Sequence, residues 1–153
     1  MAADISHLSE PATTPYDLEI RRVSDEGELY DYAQVLAANW DPPDEAVYAF
    51  YARVATPLLD PDCPSRMFVS YAQGKPVAVS ECFLFAGVAG VYNVVTKKSA
   101  RRRGFGRALT NIALVEARES GYRTAVLQAS AQGRSIYARL GFVECGAFRE
   151  YKP

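Results

Sequence analysis

Histidine is nearly missing from this chain: among 153 residues there is one, His7, in a polar, proline-bearing leader. Chemistry built on imidazole, whether as base, nucleophile partner or metal ligand, is thereby set aside. Cysteine is scarce as well, with Cys63, Cys82 and Cys145 far apart, no CxxC pair and no histidine beside them. An odd, dispersed set of this kind makes neither a disulfide framework nor a zinc site. No metal is expected, and the three read as reduced thiols of a cytoplasmic protein. Net charge is also lacking, since 17 basic and 18 acidic side chains leave −1. Without a global field to hold a polyanion against salt, nucleic acid is not an expected partner. Long apolar runs are missing too: the longest mainly apolar stretch, 77–95, is interrupted by Ser80 and Glu81. With no secretory-signal pattern near the start, neither a membrane span nor export is expected.

What remains is the composition of a globular chain, 49% hydrophobic and 23% charged, sufficient for one core at this length. Residues 1–15, "MAADISHLSEPATTP", are small and polar without apolar periodicity, and are expected to form a flexible tail before a single domain, 16–153. The segment 16–23 suits a first strand. Ser24 or Asp25 then caps a helix to about Asn39, with Leu29, Tyr32, Ala33 and Leu36 on one face. "WDPPDE", 40–45, breaks that helix, and Asp41 or Asp44 starts another to about Thr56. Met67–Tyr71 and Val77–Phe85 flank Gln73-Gly74-Lys75 as a hairpin, and Gly87–Gly90 turns the chain into a third strand, "VYNVVT".

From Gly104 the period becomes helical, through Leu109, Ile112, Ala113 and Ala117, and stops at Gly121. "YRTAVLQAS" follows as a strand, Arg134–Leu140 as a short helix and "GFVECGAFREY" as a last strand. The expected fold is mixed α/β, ordered β-α-α-β-β-β-α-β-α-β, with a mostly antiparallel sheet of about six strands and about four helices. Two strand–helix–strand crossovers imply local parallel pairing.

The segment "RRRGFGRALT", 101–110, sets two glycines between a strand end and a helix start. Such a junction aims unpaired helix N-terminal N–H groups and the positive end of the helix dipole at one point, which suits a phosphate. It lacks the third glycine of a dinucleotide fingerprint and the GxxxxGK[ST] of a P-loop, while a solvated basic turn would have the same composition. Arg101-x-x-Gly104-x-Gly106 resembles the R/Q-x-x-G-x-G/A signature of the Gcn5-related N-acetyltransferases (GNAT), and Tyr137-x-x-x-Gly141-Phe142 resembles that family's Y-x-x-x-G-F segment.

That resemblance implies acetyl-coenzyme A as cosubstrate and an amine as acceptor. It assigns the pyrophosphate to Arg101, Arg102, Arg103, Gly104, Phe105, Gly106 and Arg107, chiefly through their amides. The pantetheine and thioester fall to Val94, Val95 and Thr96 on a strand that splays from its neighbour, with Ser130 standing where many members have asparagine and Ser135 nearby. Tyr137 becomes the acid that protonates the departing thiolate. For the base there are two readings, Glu81 or a water relay, and Glu81 also reads as a carboxylate on the solvent face of a strand. Asn93 can orient an amine or water. The acceptor is expected between the 39–45 turn and the sheet centre, with Trp40, Tyr48 and Tyr51 as an aromatic wall and Asp41, Asp44 or Glu45 attracting its charge. Helix capping and core packing account for the same residues. Little chain remains for a further strand, which leaves the acceptor side open or closed by a second subunit. A coenzyme-binding sensor without transfer, and an enzyme using a longer acyl group or a carrier-protein thioester, are the competing readings.

Overall fold

The computed structural model describes residues 1–7, 15, 17–149 and 151. Its strands are β1 (Ala2–Asp4), β2 (Leu18–Arg22), β3 (Ser65–Ala72), β4 (Lys75–Phe85), β5 (Val88–Thr96) and β6 (Thr124–Leu127). They form one sheet in the order β1-β6-β5-β4-β3-β2, in which every pair is antiparallel except β5 with β6. Helices α1 (Glu26–Ala37), α2 (Glu45–Arg53) and α3 (Ala55–Leu58) precede β3; α4 (Phe105–Glu119) crosses from β5 to β6, and α5 (Arg134–Ala138) follows. The expected mixed, mostly antiparallel sheet is present, with five helices where about four were expected because the second predicted helix is divided at Val54.

Local chemistry accounts for the element ends. The Asp25 carboxylate accepts from the Glu28 N–H at 2.8 Å, and Asp44 accepts from Ala46 N–H at 2.9 Å, so both candidate caps start their helices. The β3–β4 loop is two residues long, Gln73 and Gly74, both at positive φ (52° and 71°) between the paired Ala72 and Lys75. That conformation matches the twist of the flanking strands. The next hairpin repeats the device with Ala86 and Gly87, so the turn is tighter than the expected 87–90, and Gly90 lies inside β5.

The two sheet faces bury separate clusters. Ala78, Cys82, Leu84, Val91 and Phe68 pack under α4 through Phe105, Leu109, Ala113 and Leu114. Met67, Val69, Tyr71 and Val79 pack under α1 and α2 through Leu29, Tyr32, Leu36 and Tyr51. Alternation along β4 therefore assigns Val79, Glu81, Phe83 and Phe85 to the α1 side and Ala78, Cys82 and Leu84 to the α4 side.

Three expectations are corrected at the far edge. The flexible tail does not hold for its opening residues: Ala2–Asp4 pair with Thr124–Val126, and Ala3 and Ile5 are buried. Residues 8–14 lie outside the described residues. The last strand is reduced to one bridge, Ala2 with Val143, and residues 144–149 are irregular. The edge of β6 is already occupied by β1, so the second crossover forms no parallel pair, and β5 with β6 is the parallel pairing among the described residues. Among those residues no helix is long and apolar enough to cross a membrane.

Candidate active site

The arginine–glycine segment becomes the uncapped start of α4. Gly104 is its N-cap at φ 83°, a left-handed conformation favoured by glycine, and no side chain caps the first turn. The first helical bond runs from Ala108 N–H to Gly104 O at 3.0 Å, so the N–H groups of Phe105, Gly106 and Arg107 precede the helical ladder. Arg102 is left-handed too, at φ 64°. Left-handed residues near a helix start turn successive N–H groups to one side and make an anion-binding hollow.

This hollow opens into a cleft of about 520 Å³. On one side are Val94, Val95 and Thr96 at the end of β5; on the other are Arg101, Arg102, Gly104, Phe105, Gly106 and Arg107, with Ser130 and Tyr137 beyond them. The structure thus brings most of the expected coenzyme residues together. Two depart from the set. The Arg103 guanidinium pairs with Asp17 and lies 4.7 Å from the centre of the Phe105 ring, and its side chain does not line the cleft; neither does Ser135. Arg101 is folded back, its Nε donating to Thr96 O at 3.2 Å. Asn39, Gln132, Gly133, Ile136 and Arg139 line the cleft without having been singled out. The signal for Ile136 and Arg139 was their place in the expected helix 134–140 that carries Tyr137; Arg139 is the C-cap of α5.

Tyr137 is positioned by the residues that follow it. Gly141, at φ 89°, ends α5, and the Phe142 N–H returns to Tyr137 O at 3.1 Å. This closing bond needs a left-handed residue, hence the glycine. The buried Phe142 ring then meets the Tyr137 ring at 6.2 Å and 69°, an edge-on contact. Gly133 is required for another reason: a Cβ there would stand 2.8 Å from Tyr137 Cε2. Burial pushes the Tyr137 phenol pKa above its ordinary value. The Ser130 hydroxyl accepts from Gly133 N–H at 3.2 Å and so shapes the turn into α5 while facing the cleft.

The other candidate group is built on a bulge. Between Val79 and Glu81 of β4, β5 carries an extra residue: Val79 pairs with Val95 and Glu81 with Tyr92. Asn93 sits in that interval at φ 49°, and its Nδ2 donates to Glu81 Oε2 at 2.8 Å. Ser65 Oγ donates to Oε1 of the same carboxylate at 2.7 Å. Glu81 is half-buried, more enclosed than a carboxylate on the solvent face of a strand. Above it, Tyr32 is wholly buried with a hydroxyl that makes no hydrogen bond of good geometry. Burial, then Tyr51 and the negative Glu81, push the Tyr32 pKa up; burial followed by Glu81 raises Tyr51 to about 12.

The remaining acceptor candidates lie elsewhere. Trp40 is 54% exposed, and Asp41 sits in the same exposed turn. Tyr48 stacks on Tyr30 at 5.5 Å and lines a groove between α1 and α2, apart from Glu81 and Asn93. Asp44 caps α2 and Glu45 occupies its first turn. The 39–45 turn reaches the cleft through Asn39, not through its aromatic or acidic residues.

Comparison with known proteins bears on this geometry. The family model described as an acetyltransferase (GNAT) domain matches residues 63–144. No curated protein matches the chain in sequence. Among solved structures, it resembles glucosamine-6-phosphate N-acetyltransferase from Arabidopsis thaliana, with a TM-score of 0.73 and 12% identity over 88% of this chain and 97% of that one. A GCN5-related N-acetyltransferase from Kribbella flavida is 26% identical, with a TM-score of 0.69, over 92% of this chain and 51% of that one. A predicted acetyltransferase from Clostridium acetobutylicum, solved with acetyl-CoA, gives a TM-score of 0.65 and 16% identity over 88% and 96% of the two chains.

Proposed function

Because this chain belongs to the GNAT acetyltransferase family and is an acyltransferase, we propose that it moves an acetyl group from acetyl-coenzyme A directly to a primary amine. The observation that carries the reading is the convergence of the uncapped α4 start, the end of β5 and the Tyr137 ring on one cleft. The residues fit the coenzyme: Phe105, Gly106 and Arg107 offer main-chain donors, Gly104 permits close approach, and Arg101, Arg102, Arg107 and Arg139 surround them with positive charge. The coenzyme supplies a thioester, an acyl group already activated toward an amine.

The chain's own groups then have separable tasks. Main-chain polar groups at Val94 and Val95 orient the acyl group and hold its oxygen as negative charge grows there. Glu81, fixed by Ser65 and Asn93, receives the cationic amine and accepts its proton, directly or through water. Tyr137 gives its proton to the departing thiolate; the raised pKa keeps that proton in place at neutral pH. No nucleic acid or metal enters this account.

Calorimetry with acetyl-coenzyme A, coupled to thiol release over a panel of amines, tests it. Gly104→Val should weaken coenzyme binding more than Arg102→Ala, because it disturbs a positive φ the amide array depends on. The reverse ranking would make the loop a basic patch. Coenzyme binding with no thiol release for any amine would leave a sensor, and the absence of coenzyme binding would remove the reading altogether.

A further inference from the structure

The bulge at Asn93 separates two cavities. Val94–Thr96 line the coenzyme cleft, while Tyr92, one residue before Asn93, lines a pocket of about 400 Å³ with Met1, Ala2, Val126, Leu127 and Phe148. Glu81 lines neither cavity; it stands opposite Tyr92 across the strand pair, beside the bulge. Its carboxylate is bonded by neutral donors, Ser65 and Asn93, and among the described residues its contacts include no ion pair with a lysine or arginine. A half-buried carboxylate without a basic partner suits a cation brought by a ligand.

The surface leading away from Glu81 is aromatic. Phe83 lies two residues along on the same face, about 7 Å away by strand rise, and pairs with Gly90. The Tyr92 ring folds over Gly90 so closely that a Cβ there would stand 2.4 Å from Tyr92 Cε2. Phe83 and Tyr92 remain 36% and 42% exposed on a sheet half that α1 and α2 do not cover. A cavity of roughly 150 Å³ is enough for benzene, so this pocket has room for a ring with its linker.

We propose that the acceptor is a monocationic primary amine carrying an aromatic or bulky apolar body, with Glu81 taking the ammonium and with Phe83 and the Tyr92 ring setting specificity as the apolar surface over which the body reaches the pocket that Tyr92 lines. This rests on the acetyl-transfer reading and adds the class of acceptor. Charge complementarity at one end and a pocket with no carboxylate in its lining at the other favour such a molecule over a polyamine, whose second ammonium would leave water without an anionic partner.

The test compares 2-phenylethylamine, ethylamine and 1,4-diaminobutane with acetyl-coenzyme A, in the wild type and in Tyr92→Ser and Phe83→Ser. Melting temperature checks that both variants fold, since both positions are surface-exposed. The aryl amine should exceed ethylamine in kcat/KM by about ten- to a hundredfold, the scale of burying one aromatic side chain. Both substitutions should drive that ratio toward one, and the diamine should be the poorest acceptor. Equal use of ethylamine and 2-phenylethylamine overturns the acceptor class while leaving acetyl transfer standing. So does a preference for hexanoyl- over acetyl-coenzyme A that disappears in the same two variants, because the pocket would then hold the acyl chain. Failure to bind coenzyme at all overturns both readings.

Discussion

At the scale of single residues, the Tyr137 phenol has a pKa raised by burial, so it should retain its proton beyond the ordinary phenol value of about 10. If it is the acid, kcat should hold from neutral pH to about 10 and fall only beyond, as the phenol ionises. Tyr137→Phe should lower kcat by about a hundredfold and remove that alkaline limb. Gly133→Ala should reproduce part of the loss without deleting the hydroxyl, because its Cβ must displace the ring. A pH–rate profile of the three proteins checks this; a limb that persists in Tyr137→Phe belongs to another group. Tyr137, Gly104 and Gly106 were legible in position, because local spacing puts the glycines at a helix start and the tyrosine on a short helix, and all three line one cleft. Glu81 was legible only as an ambiguity: its environment depends on Ser65, 16 positions away, and on a bulge that strand alternation does not announce. Gly133 carried no local signal at all, since its importance is the space it leaves for a ring.

At the scale of elements, the start of α4 places stability and binding in opposition. Gly106 is the second residue of the helix, where glycine is less stable than alanine by up to about 1 kcal/mol. A Cβ there would meet Thr96 Oγ1 at 3.7 Å and Val94 Cγ1 at 3.9 Å, ordinary contacts that the protein accepts. It would nevertheless narrow the gap between α4 and β5 that forms the cleft. Gly106→Ala should raise the melting temperature by about 2–4 °C and weaken acetyl-coenzyme A binding by about tenfold or more. Scanning calorimetry and titration calorimetry on the same preparation read the two signs; coenzyme binding that is unchanged or tighter in the variant would show that the helix start does not contact the coenzyme. The helices, the two hairpins and the β5–α4 crossover were readable because caps, left-handed turns and period changes are local. The edge strand β1 was not, since three residues are too few to display a period and its pairing partners lie 120 to 124 positions away.

At the scale of the whole molecule, the exchange of edges explains both why the sheet total was anticipated and why its membership was not. The segment after Gly141 has an apolar start suited to a strand, but β6 has one free edge and β1 occupies it, with Val143 reduced to a bridge. The molecule's response to alkali follows from what these layers bury. Cys82, beneath α4, has its thiol pKa pushed up to about 12 by burial and then by the nearby Glu116 and Glu81 charges, and burial raises Tyr51 to about 12 and Tyr32 and Tyr137 above the ordinary value. Each of these acids keeps its proton in the native state at a pH where the unfolded chain has released it, from about 8.5 for the thiol and about 10 for the phenols. The folded state then binds more protons than the unfolded one, so their stabilisation is complete below those values and is lost as pH rises through the native pKa values. Lys97 opposes them: burial lowers its pKa, so its contribution grows with pH until the unfolded lysine also loses its proton near 10.4. It offsets part of the Cys82 loss below pH 10, and above 10.4 Lys97 adds nothing further. The melting temperature should therefore be level from pH 7 to about 8, decline gently above about 8.5 and drop steeply beyond about 10. Cys82→Ala should delay the onset to about 10 without softening the steep phase. Retention of the early decline in that variant would place its origin outside the α4-side core.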